Sequence, residues 1–314
     1  MTLLLWLAAL PCLYWTQGVE SAPALKKASI ERLCVAPDQA EAWRQAGFTP
    51  VPLTDTDLAL RETMAAPGLR ARQGQDRASA TRSPWVFTNG SRFLKDPAGK
   101  FVYDLPAGKA ALAAAEAHAY GADAVLKIES ADLESLGQML TFLSSLPKND
   151  LPDVADVAVV DDGSATMAEA LNLLVRRNIL FRIVPAPSAQ YRVNVKLGTP
   201  EFPADAAKDP SAFALKVRRL LTDEQRTLRI FGTEVVIGRL TGDGARMRLH
   251  LLNYGGRDTE GVRVRVRGTY PDGEAHVAGQ GKVALDDRGI VDGGTEFTVP
   301  RLGPYGVVDL PAAR

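Results

Sequence analysis

Residues 246–254 read Arg-Met-Arg-Leu-His-Leu-Leu-Asn-Tyr, and residues 262–267 read Val-Arg-Val-Arg-Val-Arg. Met247, Leu249 and Leu251 alternate with Arg246, Arg248 and His250, and Val262, Val264 and Val266 alternate with Arg263, Arg265 and Arg267. Successive side chains of a strand point to opposite faces, so this alternation predicts one buried and one wet face. Gly242-Asp243-Gly244, just before the first run, is a hairpin connector. The same grammar extends outward. Val235 to Leu240, Lys282 to Leu285, Glu296 to Val299 and Val307 to Leu310 are short β-rich runs between Gly/Asp turns. Residues 226–314 therefore read as an antiparallel β-sandwich.

Upstream of Leu228 the period changes. Val154 to Val160 is a nearly continuous apolar run, as in a strand buried on both faces. Ser164 is placed as the N-cap of a helix from Ala165 to Arg177, and Phe181 to Val184 is the next strand. With a strand at Tyr191 to Leu197 and a helix at Ser211 to Leu221, residues 151–225 form a small βαβ region. Residues 25–150 also alternate. The spacing predicts strands near 32–35 and 124–128, an Ala-rich helix over 107–119 and a helix over 133–146 ended by Pro147. Asn89-Gly90 and Asp96-Pro97-Ala98-Gly99 are turn signals, which predict a strand at 85–88 followed by a hairpin. Residues 66–83 are polar and punctuated by Gly and Pro, as in a linker, and carry Arg70, Arg72, Arg77 and Arg82. The fold class is thus α/β, a mainly parallel sheet with flanking helices, followed by the C-terminal sandwich.

Leu3 to Trp15 is apolar but shorter than the roughly 20 residues a membrane span needs. Ala22-Pro23-Ala24 has the small-x-small form of a leader cleavage site, so residues 1–24 read as a signal peptide and the mature chain as secreted or periplasmic, without a membrane span. Cys34 is then the one remaining cysteine, expected as a buried free thiol. Lys plus Arg and Asp plus Glu balance at 37 each, which gives no drive toward nucleic acid. The three histidines, His118, His250 and His276, are far apart and no CxxC or HExxH occurs, so neither a metal nor another cofactor is expected. The oligomeric state is not legible.

Three patterns bear on chemistry. Asp161-Asp162-Gly163-Ser164 follows a buried strand and opens a helix. Paired carboxylates there can bind a ligand cation through oxygen, or simply favour the helix N-terminus. The stretch resembles the opening of a response-regulator receiver domain, but no phosphate-accepting Asp ends a later strand. Asn89, Asp104 and Glu129 stand at strand ends. If these strands belonged to a (β/α) barrel, the ends would form its active face, and Asp104 with Glu129 would be the carboxylate pair of a glycosidase. The arginine stripe, with Arg248 and Arg265 as its binding candidates, would line one sheet face if its strands paired, and would suit an anionic polysaccharide.

PWVFTNGSRF (84–93), KFVYDLPAGKAALAAAEAHAYGADAVLKI (100–128), VADVAVVDDGS (154–164) and RLHLLNYGGR (248–257) together resemble the C-terminal part of exported bacterial glycoside-hydrolase-like proteins. In these a barrel end precedes a flavodoxin-like domain and a β-sandwich. The resemblance implies a carbohydrate-linked role, with a polysaccharide or cell-wall glycan as partner. Most of a barrel is absent, so a glycan binder with little or no turnover is the first expectation. An active hydrolase using Asp104 and Glu129 is the second, and a non-catalytic assembly module the third.

Overall fold

A computed structural model describes residues 10–70 and 85–311. Among these, residues 10–68 and 96–150 form one compact unit, and residues 69–70, 85–95 and 151–311 form another.

The first unit is built on six strands: β1 (Cys12–Tyr14), β2 (Arg32–Val35), β3 (Thr49–Pro52), β4 (Glu62–Met64), β7 (Lys100–Asp104) and β8 (Asp123–Lys127). The numbering leaves room for β5 (Gly68–Arg70) and β6 (Trp85–Phe87), which pair as a separate two-stranded sheet. The six strands are all parallel and lie in the order β3-β2-β1-β8-β7-β4. Read as a circle, that order is sequential, with the last strand returning beside the first and one unbonded seam between β3 and β4. It is the strand order of a (β/α) barrel, reached here with six strands. A doubly wound sheet would reverse direction at a switch point instead.

Helices α1 (Ala22–Lys27), α2 (Ala40–Gln45), α3 (Asp55–Ala59) and α5 (Ala110–Ala119) connect these strands, and α6 (Leu133–Ser145) follows the last of them. Thr54 and Asp57 close a capping box at the start of α3, with the Thr54 hydroxyl accepting from the Asp57 amide at 3.0 Å. Helix α5 is buried around most of its circumference, which its alanines permit by leaving little side-chain bulk. Its first turn is held by Asp132, a buried carboxylate that accepts from the amides of Gly108, Lys109 and Ala110 at 2.7, 3.2 and 3.2 Å. Asp132→Ala strands three backbone donors, and is expected to cost about 2–3 kcal/mol, read as a shift of the urea midpoint.

One sequence expectation fails in this unit. Cys34 is not free: it is bonded to Cys12, with their Cα atoms 5.7 Å apart. Cys12 lies in β1, a strand paired on both sides, by β2 and by β8. The cleavage-like stretch Ala22-Pro23-Ala24 forms the first turn of α1. A cut there would separate β1 from β2 and β8.

The second unit opens with α4 (Gly90–Lys95), where a hairpin was expected. Asn89 is buried, and its carbonyl accepts from the amides of Arg92 and Phe93, so Asn-Gly starts a helix instead of a β-turn. Strands β9 (Val157–Val159), β10 (Phe181–Ile183) and β11 (Val193–Val195) form a parallel sheet in the order β10-β9-β11. Helices α7 (Ala165–Arg176) and α8 (Pro210–Leu221) accompany it, and Ser164 caps α7 by accepting from the Met167 amide at 3.1 Å.

Two antiparallel sheets follow. One contains β12 (Leu228–Phe231), β15 (Thr259–Arg267), β19 (Gly294–Leu302) and β18 (Asp286–Val291), in the order β12-β15-β19-β18. The other contains β13 (Val236–Gly242), β14 (Arg246–Asn253), β20 (Tyr305–Pro311), β16 (Glu274–Val277) and β17 (Gly281–Val283), in the order β13-β14-β20-β16-β17. Met247, Leu249, Leu251, Val262, Val264 and Val266 all enter their shared core.

Residues 151–225 and the sandwich fall in the same compact unit. Leu180 sits in the sandwich core with Val154 packed against it, and Asn178 both donates to the Val236 carbonyl and accepts from the Gly238 amide. Asp223 binds Arg218 at 2.6 Å and Arg226 at 3.3 Å, and its hydrogen bonds with Arg218 lead in holding its carboxyl down at about 2. The unfolded value is near 3.9, so the pair stabilises the fold above that pH and the stabilisation is lost as pH falls through about 2. Between pH 4 and pH 2 the native chain should lose more stability than Asp223→Asn, measured by denaturant titration.

Candidate functional site

Alternation along the parallel strands selects which side chains meet. Cys12, Cys34, Val102 and Val125 form an apolar cluster with Leu53, against which Tyr14 and Val51 pack. Two residues further along the strands, the same face carries Tyr14 on β1, Asp104 on β7 and Lys127 on β8. Leu13, Phe101, Tyr103 and Leu126, which alternate with them, are buried on the opposite face. The chemistry-bearing residues therefore stand at the carboxyl ends of adjacent strands, above the disulfide.

Asp104 and Lys127 are register partners. The Lys127 ammonium lies 5.5 Å from the centroid of the Tyr14 ring. Burial, with the Asp55 carboxylate nearby, pushes the Tyr14 phenol up. Glu129 keeps the parity of Lys127 but lies two residues beyond the end of β8, in extended backbone before a 3-10 turn, and is exposed. Asp104 is exposed as well. The arrangement offers an aromatic ring, a cation and solvent-open carboxylates to a polar ligand. Tyr14, Asp55 and Lys127 were not picked out from sequence. Tyr14 lies in the stretch read as a signal peptide, whereas Lys127 could have been found by carrying the strand period on from Val125.

The other expected site residues go elsewhere. Asn89 lies in the second unit. So do Asp161 and Asp162, where they shape a loop: Asp161 pairs with Lys95 at 2.7 Å and accepts from the Gly163 amide, while Asp162 accepts from the Ser164 amide. Hydrogen bonds from Ser164 hold the Asp162 carboxyl low. Among the described residues no group of three His, Cys, Asp or Glu side chains is placed to hold a metal ion. The arginine stripe divides between two sheets, because β14 and β15 do not pair. Arg248 is buried and grips Asp309 with two hydrogen bonds, at 2.6 and 2.8 Å, so it is spent internally instead of facing a ligand. Arg265 binds Glu296 and the carbonyls of Val291 and Asp292, steadying the turn between β18 and β19. Arg72, Arg77 and Arg82 fall outside the described residues.

No known family model matches the sequence, and no curated protein sequence matches it. Solved structures do. The α-L-fucosidase isoenzyme 2 from Paenibacillus thiaminolyticus aligns with a TM-score of 0.54 and 12% identity, over 88% of this chain and 71% of the fucosidase. A rhamnosidase from Novosphingobium sp. PP1Y aligns with a TM-score of 0.43 and 10% identity, over 88% of this chain and 38% of its own. A β-galactosidase from Rahnella sp. R3 gives a TM-score of 0.39 and 11% identity, over 78% of this chain and 53% of its own. The chain thus spans well under two thirds of the latter two enzymes. At such identities the likeness concerns the fold, which is glycoside-hydrolase-like.

Proposed function

We propose that this is an exported protein of glycoside-hydrolase-like fold that binds a carbohydrate or cell-wall glycan with little or no turnover. The observation that carries the reading is the open setting of its two acids. Asp104 is exposed and in register with Lys127, and Glu129 is exposed beyond the strand end. A glycosidase needs one carboxyl kept protonated near neutral pH, which burial achieves. Asp104 and Glu129 are both solvent-open and lack that burial. Solvent-open acids at strand ends that also carry Tyr14 and Lys127 suit hydroxyl recognition better than general-acid catalysis. Export draws support from the Cys12–Cys34 bond, since disulfides persist in oxidising compartments.

The test is a binding and hydrolysis comparison of native chain, Asp104→Asn and Glu129→Gln. The fucosidase likeness makes L-fucosides the first probes, ahead of a wider glycan array. The expected result is glycan binding by the native chain, at least fivefold weaker binding by Asp104→Asn, and no release of aglycone by any of the three. Hydrolysis by the native chain that both substitutions abolish would establish the carboxylate pair as catalytic and refute this reading.

A further inference from the structure

The four-stranded sheet of the sandwich has one face in the core and one toward solvent. On the solvent side stand Arg229 and Phe231 from β12, Arg263, Arg265 and Arg267 from β15, and Glu296 and Thr298 from β19. Arg229 is directly opposite Arg265, and Phe231 is opposite Arg263. Like charges placed opposite each other oppose strand pairing unless something offsets them. The offset from within is shared out: Asp156 acts on Arg267 while bound to Thr227, and Glu224 acts on Arg229. Glu296 is shared between Arg263 at 2.5 Å and Arg265 at 3.2 Å, and Arg229 reaches Asp223 only at 3.9 Å, a carboxylate already held by Arg218 and Arg226. Asp287 borders the face through Thr298 at 3.3 Å, and Arg301, toward one end, is matched by Asp258 and Glu260. Arg263 and Arg267 remain exposed.

Phe231 organises this charge. The guanidinium carbons of Arg229 and Arg263 lie 4.8 and 6.0 Å from its ring centroid. Planar guanidinium groups stack on aromatic faces, and groups so held lose less freedom when they take up a forked oxyanion. A ring attended by two arginines is not an open platform for a nucleic-acid base.

We propose that this face binds an acidic polysaccharide, through carboxylate or sulfate groups taken up by Arg229, Arg263 and Arg267 with Phe231 as their support. The choice of a glycan over other polyanions rests on the carbohydrate-linked function proposed above, but the face lies in the second unit and does not use Asp104.

The full chain would be titrated calorimetrically with polygalacturonate, with dextran sulfate and with uncharged dextran. Binding to at least one polyanion and not to dextran is expected, weakening as salt is raised, and the two polyanions separate carboxylate from sulfate recognition. The double variant Arg263→Gln, Arg267→Gln should bind about tenfold more weakly. Phe231→Leu, which keeps apolar bulk on a half-exposed position, should bind about threefold more weakly at an unchanged melting temperature. Asp104→Asn should bind polyanions as the native chain does, so failure of the Asp104 face and failure of this one are told apart. The proposal is overturned if neither polyanion binds, if the double variant binds like the native chain, or if duplex DNA competes better than either polysaccharide.

Discussion

A chain lacking residues 1–24 is expected to lose the fold of its parallel sheet. The deletion takes out β1, whose removal leaves β2 and β8 with facing, unpaired backbone edges. It also removes Leu13 and Trp15, which are 0% and 5% exposed. Burial of those two side chains alone is worth roughly 4 kcal/mol, a large share of the 5–15 kcal/mol by which a domain is stable. The Trp15 indole donates to Ser21, which in turn donates to the Gly18 carbonyl, so the segment after β1 is tied in as well. Far-UV circular dichroism and thermal melting of residues 25–314 beside the full chain would show the effect as lost ellipticity and one lost transition. Equal melting of the two would mean that residues 12–15 are dispensable.

Removing the disulfide should have the next largest effect. Cys12 and Cys34 are 22 residues apart and both buried, so the bond closes a loop that the unfolded chain would otherwise leave free. Loop-closure entropy puts its stabilisation at about 3 kcal/mol. Cys12→Ala with Cys34→Ala, or reduction of the native chain, is expected to lower the guanidinium midpoint accordingly. Thiol titration of the unfolded, non-reduced chain should find no free thiol. Two titratable thiols, with a midpoint indifferent to reductant, would contradict the bond.

What could be read from sequence followed from periodicity. Val262, Val264 and Val266 alternate over a whole strand, and they lie in the sandwich core. Leu133, Leu136, Met139 and Leu143 are spaced for one helix face, and all four are buried on α6. Periodicity identifies the apolar face but does not say whether the polar face is covered. Arg248 and His250 alternate with leucines as a wet face would, yet both are buried, Arg248 against Asp309 and His250 against the Tyr305 hydroxyl at 2.6 Å. Partners sixty residues away are outside the reach of a local pattern.

The same limit hid half of the candidate site. Asp104 and Glu129 stood out as acids at strand ends, but Tyr14 joins them only because β8 returns to pair with β1, a closure that no local spacing announces. Taking residues 1–24 as a signal peptide left Cys34 without a partner in the mature chain, whereas the structure bonds it to Cys12. Asn89-Gly90 misled for a related reason, since Asn-Gly favours a hairpin only when strands flank it, and here Phe93 is buried on a helix.

The most direct measurement of the central claim is a single calorimetric and spectrophotometric experiment on the full chain with 4-nitrophenyl α-L-fucoside, followed by other aryl glycosides and cell-wall oligosaccharides. The account predicts saturable heat of binding to a glycan, reduced by Asp104→Asn, with no nitrophenolate appearing. Nitrophenolate release that depends on Asp104 and Glu129, or the absence of any glycan heat, would contradict it.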